Sequence, residues 1–263
     1  MRDQNMSGIV VGFPDQTIHE ESETQQYPIG MIHERHGRRW RYFQAYEAIG
    51  GDHRGCPNMS TVPGDTGGSA FGIEKNFYSS VAEGDTKVQV ENPGSTEFPE
   101  DYFVDGTMVV FSTTKNPAIF CCRISGNDLF TTTSGWIYLD EPIPMALTTE
   151  GTDWGTGGWG VNLHPSPYRN VGGAGSNNVL YRTVVVVPAM SVQDNYYAWG
   201  QTKGPCWVTP TAYGHGRIKI WHSDGTIKDR TDGSLGQIAG NAIARDYDGS
   251  YGDGLIDLDI DAF

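Results

Sequence analysis

The sequence has no apolar run long enough to cross a bilayer as a helix, so no membrane partner is expected. It has no apolar stripe at i, i+3, i+4 and no capping box ahead of an apolar run, which leaves little for helices. It has only four cysteines, Cys56, Cys121, Cys122 and Cys206, and no Cys-x-x-Cys pair. That removes the paired-thiol zinc and redox classes. The adjacent Cys121 and Cys122 point to opposite faces of a strand, so they do not bridge each other. Basic charge is short as well: 18 Lys and Arg stand against 32 Asp and Glu, a net charge of −14. Such a surface repels phosphate backbones, and no nucleic-acid partner is expected. The one N-terminal apolar patch, residues 6–13, is too short and glycine-broken for a signal peptide. The expectation is free thiols in a chain folded in a reducing cytoplasm.

Turn residues are plentiful instead. With 35 glycines and 14 prolines in 263 residues and no repeat period, the chain reads as many short strands joined by turns. The expected fold is all-β, an antiparallel sandwich or barrel with long loops and an extended N-terminal arm. Residues 1–26 are the arm, polar and without period, needing a neighbour to order them. Residues 27–263 form one large β domain, with a division into two β blocks near 145–180 as the alternative.

Along the chain, residues 27–34 and 36–45 predict a hairpin turning at His36-Gly37, with Trp40 and Tyr42 on one face. Strands are expected at 76–80, 87–90 and 107–112, with an acidic, proline-containing connection over 92–105. Residues 116–125 are nearly continuously apolar and predict a strand buried on both faces. Residues 136–139 add a strand that the prolines at 142 and 144 stop. The run Thr183-Val184-Val185-Val186-Val187 marks the clearest core strand. Residues 196–199 and 206–209 are expected to flank a turn at Gly204-Pro205, with Trp199 and Trp207 as packing anchors. Residues 217–222 alternate and turn back at Asp224-Gly225. Residues 236–244 add a strand, and the alternation over 255–261 closes the fold.

Chemistry-bearing motifs are sparse. Residues 64–70 (Gly-Asp-Thr-Gly-Gly-Ser-Ala) resemble the nucleophile loop of chymotrypsin-like proteases, but Thr66 holds the nucleophile position and the preceding histidines lie too close. The Asp-rich loop 246–254 lacks the Gly and Glu spacing of an EF-hand. Histidines 19, 33, 36, 53, 164, 215 and 222 are scattered, and His33 and His36 fall on opposite faces of the hairpin. No metal, cofactor or catalytic residue is assigned. Glu97, Glu100, Asp101, Asp140, Glu141 and Asp153 are the carboxylates from which a glycosidase pair could be drawn. Trp154, Trp159 and Tyr168 are the rings that could stack sugars.

Across residues 26–263 the layout resembles capsid decoration or cement proteins of tailed bacteriophages. The resemblance rests on Gln26-Tyr27-Pro28-Ile29-Gly30 leading into Gly37-Arg38-Arg39-Trp40-Arg41-Tyr42. It continues through Asp140-Glu141-Pro142-Ile143-Pro144, then the run from Tyr196 to Pro205, then Gln237-Ile238-Ala239-Gly240-Asn241-Ala242. It implies a non-enzymatic, all-β virion protein on the capsid surface, assembled in the host cytoplasm. The implied partners are the major capsid protein and copies of itself, as a homotrimer. The expected interface residues are Ile9, Val10, Val11 and Phe13 of the arm, with Trp154, Trp159 and Trp199. A tail or head-fibre carbohydrate-binding module and a β-fold glycoside hydrolase are the alternatives.

Overall fold

A computed structural model describes residues 9–10, 15–59, 73–92, 97–111, 120–147, 159–173, 183–211, 216–231, 236–243 and 254–260. The chain is all-β, its sheets antiparallel but for one edge pair, with no helix among the described residues. It divides into two compact units. Unit 1 is Met1–Met59 with Pro167–Phe263, and unit 2 is Ser60–Ser166. Unit 2 is thus an insertion in unit 1, leaving it after Met59 and returning before Pro167. Neither sheet closes into a barrel along its ladders.

Unit 1 holds β1 (Ile9–Val10), β2 (Ile32–Arg35), β3 (Arg38–Gln44), β4 (Cys56–Pro57), β11 (Val184–Pro188), β12 (Tyr197–Trp207), β13 (Ile218–Trp221), β14 (Ile227–Asp229), β15 (Ile238–Ala242) and β16 (Leu255–Asp259). The sheet runs β1-β2-β3-β12-β16-β15-β13-β14, with β11 on β12 and β4 on β11. Among the strand pairs of the described residues, only β1 on β2 is parallel. The β2–β3 hairpin forms where expected: His36 and Gly37 both take positive φ, 52° and 72°, as a two-residue primed turn requires. The valine run of β11 is buried throughout.

The long strand β12 corrects the expected turn at Gly204-Pro205. Its eleven residues run straight through that dipeptide. On one edge it pairs with β3, from Tyr197 opposite Gln44 to Lys203 opposite Arg39. On the other it pairs with β11 at Gly200 and Gln201, then with β16 from Lys203 to Trp207. The register slips between Gln201 and Lys203, and Gly204 takes φ 85°. The buried Gln201 amide bridges this bulge, donating to the carbonyls of Lys203 (3.0 Å), Gly204 (3.2 Å) and Pro205 (3.0 Å). Val208 donates to Gly254 on the β16 side. By alternation Pro205 therefore turns its missing donor to the other side, beyond the end of the β3 ladder, where a strand tolerates proline.

Residues 15–26 correct the extended arm. They lie on their own unit, tied by a bridge between Ser22 and Tyr197 and by Gln16, which is buried. Tyr42 Oη donates to Gln16 Oε1 (2.7 Å), Gln16 Nε2 donates to Tyr197 O (2.9 Å), and Trp199 Nε1 donates to Gln16 O (3.1 Å). Burial pushes the Tyr42 phenol up to about 12, although the Gln26 N–H works against the rise, so it remains a proton donor to Gln16.

Unit 2 holds β5 (Ile73–Asn76), β6 (Lys87–Glu91), β7 (Thr107–Phe111), β8 (Phe120–Asn127), β9 (Ser134–Leu139) and β10 (Gly160–His164), in the order β5-β10-β7-β8-β9-β6. A single bridge, Phe77 to Val90, links the segment after β5 to β6. Two expectations change here. Strand β8 alternates rather than being buried on both faces: Cys122 and Ile124 point in, while Cys121 and Arg123 are exposed. Arg123 takes that outer side because Asp105 (2.5 Å) and Asp140 (3.4 Å) pair with it there. The connection over 92–105 also supplies core. Phe98 and Phe103 are fully buried and pack with Phe130 at ring distances of 6.0 and 5.6 Å.

Candidate functional site

The expected interface residues scatter. Ile9 and Val10 form β1 at the sheet edge; Val11, Phe13 and Trp154 lie outside the described residues. Trp159 is buried in the core of unit 2. Trp199 is fully buried at the centre of a unit 1 core, so neither ring is a surface anchor. Of the proposed sugar-stacking rings, Tyr168 is buried in unit 1 with the Arg41 guanidinium 5.3 Å from its centroid. Trp159 and Tyr168 belong to different units. The protease-like loop 64–70 and all of the Asp-rich loop except Gly254 lie outside the described residues, as does Asp153. Among the described residues no group of three or more His, Cys, Asp or Glu side chains could hold a metal. Cys56, Cys122 and Cys206 are buried free thiols whose burial raises their pKa, Cys206 to about 12; Cys121 is exposed.

A surface that the sequence analysis missed stands out instead. Along the second half of β12, burial alternates: Gly204, Cys206 and Val208 face the core, while Lys203, Pro205 and Trp207 face out. The outward set continues across three more strands. Trp207 opposes Leu255, and Pro205 opposes Asp257. Asp257 opposes Asn241, and Asn241 opposes Ile218. Ile243 donates its N–H to Leu255 O (3.0 Å) and is next in that register. Directly opposed residues share a face. The face therefore carries an apolar row, Trp207–Leu255–Ile243, beside a mixed row, Pro205–Asp257–Asn241–Ile218. Trp207 is 40% exposed, Ile243 51% and Ile218 38%.

The Trp207 ring is held rather than loose. It meets His53 edge-on at 5.8 Å, and Gly254 leaves room beneath it, since a Cβ there would come within 2.8 Å of Nε1. The Asp257, Asp259 and Asn241 side chains make no hydrogen bond among the described residues. Behind the sheet, Cys206, Ile256, Leu258, Ala239 and Trp221 form a buried core that fixes which face is outward. Alternation over 255–261 contained this information, but the neighbour relations needed the strand register.

A polar cluster sits at the β13–β14 turn. Asp224 Oδ1 accepts from the Thr226 N–H (3.1 Å) and hydroxyl (2.5 Å) and pairs with His222 Nδ1 (3.0 Å). Arg54 binds Asp52 at 2.6 Å and reaches Asp224 at 3.9 Å. Ser223 Oγ approaches the same His222 nitrogen, at 3.5 Å. A nucleophile relay needs a hydroxyl on the opposite ring nitrogen from the carboxylate, so this trio is a turn clamp. Burial opposes ionisation of Asp224, but the bonds from Thr226 and His222 outweigh it and hold the carboxyl at about 2, below its ordinary value of 3.8. Its contribution to stability is therefore present above pH 3.8 and lost as pH falls through about 2. Wild type and Asp224→Asn should differ in urea midpoint at pH 5 and converge at the acid end of that window. A gap that stays constant would refute the assignment.

Comparison with family models, with curated proteins and with solved structures finds no match to this chain.

Proposed function

We propose that this chain is a non-enzymatic structural protein of a tailed-phage virion, which decorates or cements the capsid through subunit–subunit contacts. The observation that supports this best is the outward row Trp207–Leu255–Ile243. A held tryptophan among exposed aliphatic side chains, rimmed by uncommitted polar groups, has the composition of a protein-docking patch. Two aliphatic side chains, Leu255 and Ile243, in one row with the ring suit another protein better than a sugar. In this reading the major capsid protein is the lattice that the protein binds, and stabilisation follows by mass action, because the assembled shell is bound better than free subunits.

The test is co-sedimentation with purified tailed-phage capsids stripped of this protein. Wild type should saturate the shells, and Trp207→Ala should weaken binding by about tenfold or more, the usual loss for a central aromatic anchor. Removing residues 1–26 is not a clean test, since it strips Gln16 from Tyr42 and Trp199. Removing 1–14 leaves those bonds and asks about the terminal segment alone. Wild type failing to sediment with any capsid would overturn the proposal.

A further inference from the structure

We propose that the protein seated on this face is a second copy of the chain, related by a twofold axis lying along the strands between β16 and β15. The inference rests on reading the face as a protein-docking surface. The argument is its self-complementarity. In order across β12, β16, β15 and β13, the mixed row is Pro205, Asp257, Asn241, Ile218. Two such faces laid together about that axis set Pro205 against Ile218 and the Asp257 carboxylate against the Asn241 amide. In the other row Leu255 meets Ile243. Each of these three pairs is apolar on apolar or acceptor on donor, and the rule of an isologous contact is met: i meets j while j meets i. Moving the axis onto β16 would set Asp257 against Asp257, a like-charge contact.

Charge points the same way. The chain carries −14, which opposes close approach of two copies in general. On this face Lys203 stands opposite Asp259, and Asp257 gains the Asn241 amide of the other copy.

The patch is small. Four strands at ~4.8 Å spacing and about three residue rows at ~7 Å give roughly 400 Å² of flat face per copy. That is well under the ~800 Å² per partner of a standard interface, so the pairing is weak and micromolar rather than nanomolar. On a shell, many copies held side by side would raise its effective concentration.

The experiment is sedimentation velocity of the isolated full chain, with no capsid present, from about 1 µM to about 200 µM, a range that brackets a weak dimer. Wild type should move toward twice the monomer mass. Ile243→Asp, at an exposed position, should hold its thermal melting curve yet stay monomeric throughout. In a Cys121→Ser background, Leu255→Cys and Ile243→Cys chains mixed with a short bis-maleimide should cross-link to each other more than to themselves. Wild type monomeric at every concentration, or a variant dimer as strong as wild type, overturns the proposal. A trimer mass, or self-links equal to mixed links, overturns the twofold geometry. If Ile243→Asp lowers capsid binding of a wild type that is monomeric alone, the face belongs to the shell and not to a second copy. Failure of capsid co-sedimentation, by contrast, removes the decoration role and leaves the dimer measurement standing.

Discussion

Gly204→Ala should lower the stability of unit 1 by about 3 kcal/mol, the sum of two separable effects. Gly204 sits in β12 at φ +85°, and a Cβ there would run into the Gly37 carbonyl oxygen at the tip of the β2–β3 hairpin. A left-handed backbone conformation costs an L-residue roughly 1–2 kcal/mol. The collision adds more, because backbone cannot rotate away as a side chain can. Gly37 provides the control. It has φ +72° and nothing within 4 Å of a Cβ, so Gly37→Ala carries only the conformational cost. Chemical denaturation of both variants, followed on the unit 1 transition, should place Gly204→Ala at least ~1.5 kcal/mol below Gly37→Ala. Equal losses would mean that the hairpin tip yields freely and that β12 is not pinned at its bulge.

The same glycine shows where sequence patterning stops. Gly-Pro is a strong local turn signal, and no local feature of residues 196–208 says that the chain continues. What keeps it extended is remote: the Gly37 carbonyl, the end of the β3 ladder beside Pro205, and β16 on the far edge. Elements whose two faces differ were legible. The strands β3, β6 and β9 and the turns at His36-Gly37 and Asp224-Gly225 appear where patterning and turn chemistry place them. Burial decided by distant partners was not legible. Phe98 and Phe103 lie in an acidic stretch, and their place in the core follows from Phe130 coming back beside them.

The candidate site follows the same division. Alternation in β16 separates Leu255, Asp257 and Asp259 from Ile256 and Leu258. It does not say that Trp207 and Ile243 flank Leu255, which depends on two registers at once. Trp199 and Trp207 look equivalent in sequence, two rings eight residues apart on one strand. They part because both faces of β12 are covered from Ala198 to Thr202, whereas only one is covered beyond Lys203.

That divergence sets the other large effect. Trp199→Ala should destabilise unit 1 by about 3–5 kcal/mol, the range for a fully buried large aromatic, while Trp207→Ala should fall below about 1 kcal/mol because its ring is partly in water already. Trp199 packs against Tyr42 at 5.0 Å, Tyr27 at 5.3 Å and His33 at 5.7 Å between ring centroids. Its indole N–H also holds the Gln16 carbonyl. Truncation therefore removes packing and unties the segment 15–26 together. Trp199→Phe separates the two: it keeps most of the packing, leaves the Gln16 carbonyl without its donor, and should cost about 1–3 kcal/mol. Gln16→Ala loses the Tyr42 and Tyr197 bonds instead, and because both changes act on one segment the double variant should be less destabilised than the sum by about 1 kcal/mol. Protease cleavage within residues 15–26 should rise in Trp199→Ala and Gln16→Ala under conditions where Trp207→Ala stays intact. If the two substitutions add independently, or the segment is cut equally in wild type, the N-terminal residues are not part of the unit 1 core and their release belongs to the docking surface after all.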